Sequence, residues 1–295
     1  MTDIRQSINY KNFLESQGWI VERINNINYF IKKLPIIGSV LKLQRPETIS
    51  KACLFEVKKL EKKYRVFQTI IEPDLASSSI TEINDHILLS SNGCRLSKSP
   101  FLPSKTIHLD LKRSETDIFR SFSKETRYSI RKGEGLIVKD YSTPEKIKLF
   151  REAWKSSVNF NRYVPSLESL LKFRKSFPQS YSTFLTSHNK SGDIIGGALF
   201  TRSSHDFGYN KGTSYAYYWY GFTNKEGRTS LSQYSLLYSG ILWAKRMNCK
   251  KFDFEGIYDE RFPNKSWLGF THFKKSFGGL EVSYPGCYTK FRLPF

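Results

Sequence analysis

Two hydrophobic periods alternate along the chain. Tyr10, Phe13 and Leu14 recur at helical spacing and predict a short helix. Trp19 to Ile24 and Asn28 to Lys32 read as a hairpin around Asn25-Asn26. Thr48 is placed to cap a helix running to about Lys63. Val66 to Ile71 is β-branched and strand-like and ends at Glu72-Pro73-Asp74. The polar stretch from Ala76 to Thr81 reads as a loop, and Thr106 to Leu111 as a second strand.

Ser114, with Asp117 three residues on, resembles a capping box and predicts a helix to about Lys132, where Gly133 and Gly135 stop it. Thr143-Pro144-Glu145 supplies an N-cap, a first-turn proline and an acidic first turn. Ile147, Phe150, Trp154 and Val158 then mark one apolar face. Ser166 opens a further helix through Leu170, Leu171 and Phe173. Strands follow at Tyr181 to Thr186, Ile194 to Thr201 and Ser214 to Thr223, then a helix from about Ser232 to Met247 and a strand from Lys251 to Glu255. This succession is an α/β arrangement, and the first 140 residues look like a looser version of it. Two related α/β domains in tandem are the economical reading.

Composition adds the kind of partner. The 295 residues, with 39% hydrophobic and 15% aromatic positions, suffice for one large or two medium cores. A formal charge of +20 predicts attraction to polyanions: nucleic acid, phosphorylated small molecules or anionic lipid. Cys53, Cys94, Cys249 and Cys287 are too far apart for zinc-type pairs, and the five histidines form no HExxH or HxH motif, so no metal site and no cofactor is expected. No secretory signal precedes the first helix, and the apolar stretch Leu34 to Leu43 is interrupted by Pro35, Gly38, Ser39 and Lys42. A soluble cytoplasmic protein is expected.

Several groupings carry candidate chemistry. Arg120, Lys124, Arg127 and Arg131 fall at spacings of four, three and four, one basic stripe on the expected helix. It reads either as a solvated face or as a docking strip for phosphates. The segment Trp267 to Tyr288, WLGFTHFKKSFGGLEVSYPGCY, sets two lysines among aromatic residues before a Gly-Gly turn. It reads as a basic surface loop, or as a desolvated lysine able to stabilise an oxyanion. Glu72 with Asp74, and Asp253 with Glu255, are structural carboxylates or an acid/base pair at a strand end. Tyr215, Tyr217, Tyr218, Trp219 and Tyr220 form an aromatic strand whose outward half could stack on a sugar or base. The sequence has no GxSxG elbow, P-loop or GxGxxG. Asn224 to Thr229, where an acetyl-CoA-binding turn would lie, carries one of that turn's two glycines.

These pieces together resemble the Fem-type aminoacyltransferases. The resemblance runs from NFLESQGW (Asn12 to Trp19) and KLPIIGSVLKLQRP (Lys33 to Pro46), through the segments Ile107 to Gly135 and Gly196 to Phe200, to YWYGF and the stretch that ends in DFEGI. It closes on HFKKSFGG (His272 to Gly279), similar to the family's Phe-Lys-Lys-x-Phe-Gly signature. The resemblance implies an α/β fold of two tandem GNAT-like (acyl-CoA N-acyltransferase-like) domains with mixed sheets and no coiled-coil arm. It places the first at residues 1–142, completed by a C-terminal strand within 283–295, and the second at 143–282.

It further implies transfer of an amino acid from aminoacyl-tRNA to the stem-peptide amine of a peptidoglycan precursor, either UDP-linked or lipid-linked muramyl peptide. Peripheral contact with the inner membrane surface goes with the lipid-linked form. Lys274 and Phe273 would lie at the transfer centre, with Lys274 stabilising the oxyanion or the tRNA end, and Asp74 would orient the amine or accept its proton. Arg127, Arg131 and Arg228 would contact phosphates, with Tyr220 and Lys275 as further substrate contacts. Where many members carry a lysine shortly after the first-domain Trp, this chain has Trp19-Ile20-Val21-Glu22-Arg23, so Arg23 is the candidate substitute. The alternative is an N-acyltransferase of the same fold that uses acyl-CoA or another acyl donor on a different amine.

Overall fold

A computed structural model of the chain describes residues 3–75, 78–159, 162–203 and 214–292. In order, α1 (Ile8–Ser16) is followed by β1 (Ile20–Ile24), β2 (Ile27–Leu34), β3 (Gly38–Gln44), α2 (Lys51–Lys63), β4 (Val66–Glu72), α3 (Ser79–Ser91) and β5 (Arg95–Leu96). The middle of the chain gives β6 (Lys105–Asp110), α4 (Glu115–Ser121), α5 (Lys124–Lys132), β7 (Ile137–Asp140), α6 (Pro144–Ser157), α7 (Leu167–Ser176), β8 (Ser182–His188) and β9 (Ile194–Arg202). The last part holds β10 (Tyr215–Thr223), α8 (Lys225–Thr229), α9 (Ser232–Arg246), β11 (Lys251–Asp253), α10 (Leu268–Lys275), β12 (Leu280–Ser283) and β13 (Tyr288–Phe291).

Two mixed sheets organise these elements. The first has the strand order β1-β2-β3-β4-β13-β5, the second β12-β6-β11-β10-β9-β8-β7. Strand β13 pairs antiparallel with β4, Tyr288 opposite Ile71, so a C-terminal strand completes the first sheet. The sheets divide the chain earlier than residue 142: β6 and β7, with α4 and α5 between them, belong to the second sheet, where β6 pairs with β11. The reason lies in burial. Ile107, Leu109, Ile118 and Phe122 pack into the same core as Leu236, Ile241 and Phe252.

Each sheet buries its own apolar faces. The first packs α2, through Cys53, Leu54, Val57 and Leu60, onto Tyr29, Ile31, Leu41 and Ile71. The second is covered on both faces. Helix α9 lies over one, with Leu236, Leu237 and Ile241, while α6 and α7 cover the other with Ile147, Phe150, Trp154 and Phe173. Strands buried on two faces require near-continuous apolar sequence, which Ile194 to Phe200 and the aromatic run of β10 supply.

Local chemistry sets most of the boundaries. Asn25 and Asn26 take φ of 50° and 64°, the left-handed pair that a two-residue hairpin needs and that Asn tolerates best after Gly. Ser7, Ser114, Thr143 and Ser166 each accept the backbone N–H three residues on, capping α1, α4, α6 and α7. Helix α2 is capped by Ser50, not Thr48, with Ser50 Oγ taking the Cys53 N–H.

Two further expectations are corrected. The stretch read as a loop from Ala76 to Thr81 enters α3 at Ser79, capped by Ser78 through the Thr81 N–H; residues 76 and 77 lie outside the described residues. The helix expected from Ser114 to Lys132 is two helices. Phe122 is extended and buried, and Ser123 caps α5 while its own N–H donates to the Ser276 carbonyl at 2.8 Å. Among the described residues the longest helix, α9, has 15 residues, and no coiled-coil arm projects. No described helix is long and apolar enough to cross a membrane.

Candidate active site

Strands β10 and β11 are parallel but pair only from Tyr215 opposite Lys251 to Tyr217 opposite Asp253. Beyond that point β10 continues to Thr223 without β11 beside it. The separation begins at a bulge. Opposite β9, Tyr218 faces Phe200 and Tyr220 faces Leu199, so Trp219 is the extra residue. The bulge inverts the alternation: Tyr215 and Tyr217 pack toward α6 and α7, and after it so do Tyr220 and Phe222. The two strands therefore part at their carboxyl ends, where open α/β sheets characteristically bind ligands.

A cleft of about 770 Å³ occupies the gap. Its lining includes Tyr218 to Thr223 from β10, Glu255 after β11, and Phe270, Phe273 and Lys274 from α10. Arg162 and Arg228, both exposed, add two cations to the lining. The cleft thus brings together seven of the residues singled out from sequence: Lys274, Phe273, Glu255, Tyr218, Trp219, Tyr220 and Arg228.

Lys274 is the chemical centre of this arrangement. Its side chain is 8% exposed. The Nζ donates to the carbonyl oxygens of Glu255 and Gly256, the latter at 2.7 Å. It lies 5.0 Å from the centroid of the Phe270 ring and 5.7 Å from that of Tyr218. Burial pulls the ammonium down to about 8, while Glu255 and Asp253 oppose that shift. Two of its three donors are engaged, which leaves a third for an anionic atom in the cleft. The neighbouring Lys275, about 100° further round α10, turns away and pairs with Glu281 at 2.5 Å.

The carbonyls that hold Lys274 are fixed by a left-handed turn. Glu255 and Gly256 have φ of 50° and 55°. A Cβ at Gly256 would lie 2.8 Å from the Trp267 ring, so glycine is required by space as well as by torsion. The Glu255 N–H is tied to Asp253 Oδ1 at 2.7 Å, and Asp253 also accepts from Thr106 Oγ1 and lies 3.2 Å from His108 Nε2. Burial acts to raise the Asp253 carboxyl, but these bonds hold it below the usual carboxylate range.

Glu255 has a different environment. Burial raises its carboxyl, Arg5 opposes this, and the nearby Asp253 adds to it. Arg5 comes from a buried segment, Asp3 to Ser7, that crosses between the two sheets. Its Nη2 donates to both Glu255 oxygens at 3.0 and 3.2 Å, and its Nη1 reaches Asp3. The guanidinium also lies 5.3 Å from the Trp219 ring, at the bulge. Gln6 Nε2 donates to the Gln44 carbonyl, and Asn28 holds the Arg5 and Ser7 carbonyls, so the segment is anchored to the first sheet.

The other residues singled out from sequence lie elsewhere. Asp74 lines a separate cavity of about 10 Å³ with Asp3, His108, Tyr215, Tyr217 and Asp253. There burial, followed by the charge of Asp3, raises its carboxyl to about 7. Arg23 donates to the Gln6 carbonyl and to Asn28 Oδ1 and so braces the N-terminal segment. Around Trp19 the cations are Lys32 and Lys42, 5.7 and 5.4 Å from its ring. The basic stripe is broken by the turn at Phe122. Arg127 donates to the carbonyls of Arg120 and Phe122 at the end of α4, and Arg131 lies 5.5 Å from the Phe119 ring.

Sequence reasoning missed Arg5, Arg162 and Gln233. Gln233 lines the cleft and binds the Tyr218 hydroxyl through Nε2. None of the three stands in a motif, and only the fold brings them to the parted strands.

No family model matches the sequence, and no curated protein matches it. Solved structures do. The chain is similar to the crystal structure of FemX, with a TM-score of 0.79 at 15% identity over 98% of this chain and 92% of that one. It is also similar to L-PGS from Bacillus licheniformis, with a TM-score of 0.56 at 15% identity over 95% and 86%. A tandem GNAT protein from the clavulanic acid biosynthesis pathway gives 0.54 at 10% identity over 90% and 82%. Likeness at such identities establishes architecture, and the architecture of this chain is the tandem GNAT-type arrangement that FemX shares.

Proposed function

We propose that this protein is an aminoacyltransferase that moves an amino acid from aminoacyl-tRNA to the stem-peptide amine of a peptidoglycan precursor. The observation that carries the reading is the buried Lys274 ammonium, held by two carbonyls at the wall of an open cleft in a FemX-like fold. A neutral amine attacks the ester carbonyl carbon, and the carbonyl oxygen becomes an oxyanion facing the third Lys274 donor. The tetrahedral intermediate then collapses, the bond to the ribose oxygen breaks, and the proton lost by the amine ends on that oxygen. Away from bulk water, one fixed cation of this kind accounts for ~10²–10³ in rate.

Among the described residues, Glu255 is the carboxylate that lines the cleft with Lys274, and we assign it the incoming amine: it orients the nitrogen and takes its proton. Asp74 lines the separate, smaller cavity. Arg162 and Arg228 offer cations for the phosphates of the charged tRNA end or of the precursor.

Acyl-CoA as donor is the second reading, favoured by the likeness to the tandem GNAT protein. The local geometry opposes it. The Gly227 N–H, needed for pyrophosphate in such a turn, is taken by Asn224 Oδ1 at 2.8 Å. A test that separates the two readings supplies radiolabelled amino acid on a mixed charged-tRNA pool, with UDP-linked or lipid-linked muramyl pentapeptide as acceptor. Ribonuclease-sensitive label on either acceptor supports the tRNA reading; label only from acyl-CoA overturns it.

A further inference from the structure

The hairpin between β2 and β3 breaks a rule that the hairpin before it obeys. Leu34 pairs with Gly38, leaving Pro35, Ile36 and Ile37 as the loop. The Ile37 N–H donates to the Pro35 carbonyl at 2.8 Å and closes a three-residue turn with Ile36 at φ 71°. That torsion is strained for a β-branched residue, whereas Asn25 and Asn26 fill the left-handed positions of the β1–β2 turn. The strain also brings no burial. Ile36 is fully exposed and Ile37 is 53% exposed. A local rule broken without structural return points to function.

Cations surround this tip. Lys33 is exposed on β2, and the Ser39 N–H binds the Arg65 carbonyl at 3.0 Å, which brings the turn between α2 and β4 alongside. That turn carries exposed Lys62, Lys63 and Arg65. Its acidic neighbour Glu22 is already engaged by Lys63 and Tyr64. A convex aliphatic tip flanked by positive charge, on a chain of net charge +20, complements one surface in particular: an anionic bilayer, whose boundary region takes the apolar side chains while its headgroups meet the cations.

We propose that the β2–β3 tip docks this protein on anionic membranes by inserting Ile36 and Ile37. From the tip, the seven residues of β3 extend ~23 Å to Gln44. There Gln6 is bonded, next to Arg5, which holds Glu255 of the cleft. The cleft thus lies past the far end of β3 from the tip, by way of Arg5 and Glu255, an arrangement suited to an acceptor carried on an extended lipid-linked headgroup. That last choice of acceptor rests on the function proposed above; docking itself rests on the tip.

Flotation with vesicles containing phosphatidylglycerol, against pure phosphatidylcholine, tests the proposal. Wild-type protein should float with the anionic vesicles and be released by high salt. The double variant Ile36→Asn, Ile37→Ser should bind them roughly tenfold or more weakly, yet melt no lower than wild type, because Asn suits the torsion. Lys33→Glu with Arg65→Glu should weaken binding to anionic vesicles only. No flotation of the wild type, or unchanged flotation of the isoleucine variant, overturns the proposal. So does a dimer on size exclusion that the variant dissolves, without vesicle binding. Absence of transfer to any acceptor, with flotation as described, would remove the proposed function and leave the docking intact.

Discussion

Arg5 and Glu255 are 250 residues apart in sequence, yet Arg5 Nη2 lies 3.0 Å from Glu255 Oε1, both side chains largely shielded from water. The pair joins the N-terminal segment to the cleft that holds Lys274. It also opposes the protonation of Glu255 that burial and the like charge of Asp253 both favour.

Removing Arg5 leaves Glu255 and Asp3 both buried without their guanidinium. Arg5→Met should therefore destabilise the fold by about 3 kcal/mol. Glu255→Gln should cost less, because Arg5 keeps its pair with Asp3. The double variant should lose distinctly less than the sum, which denaturant unfolding of the four proteins in the cycle measures. Simple additivity would show that the ion pair is not what anchors the segment.

Lys274 gives the reaction its alkaline limit. The ammonium is the active form, and burial brings it to about 8. Transfer should hold steady up to about pH 7 on this limb and fall as pH rises through 8. An arginine at the position, which does not deprotonate in that range, should remove the fall even at a much lower rate. A limb that persists unchanged in Lys274→Arg would assign it to another group.

Asp74 makes an opposite and purely structural prediction. Its carboxyl rises from 3.8 to about 7 on folding, so the folded chain retains a proton that the unfolded chain loses. Stability tied to this group is present below about pH 4 and declines as pH rises toward 7. Asp74→Asn should abolish that decline and raise stability at pH 8 by ~2 kcal/mol after allowance for solvent screening, with little gain at pH 4. Thermal melts across this range check it.

Much of this architecture was legible in the sequence because it is locally encoded. Serine and threonine caps announce α4, α6 and α7, the spacing of Tyr10, Phe13 and Leu14 announces α1, and Asn25-Asn26 announces the first hairpin. What escaped is set by distant contacts. Helix α3 buries only Leu89 and exposes Ile80, Ile83 and Ile87, so no inward stripe marks it. The break at Phe122 depends on the core and on Ser276, 150 residues on from Thr126, which binds it through Oγ1. The lysine pair among aromatic residues stood out in the sequence and the family resemblance selected Lys274 and Phe273, whereas Arg5 became part of the site only when the sheets were placed together.

Gly256 should tolerate no side chain. Alanine there meets the Trp267 ring and an unfavourable φ together, costing roughly 1–3 kcal/mol. It should also displace a carbonyl that orients Lys274. The expected result is a lower kcat at temperatures where the variant is still folded by circular dichroism. Full activity would show that the turn does not position the lysine.

The central claim is that Lys274 serves transfer from a tRNA ester. The most direct measurement compares wild type and Lys274→Met, both shown folded, for label moved from charged tRNA to the muramyl peptide acceptor. The account predicts ribonuclease-sensitive transfer by the wild type and a loss of ~10²–10³ in kcat for the variant. Equal transfer by both proteins, or transfer that survives ribonuclease, would contradict it.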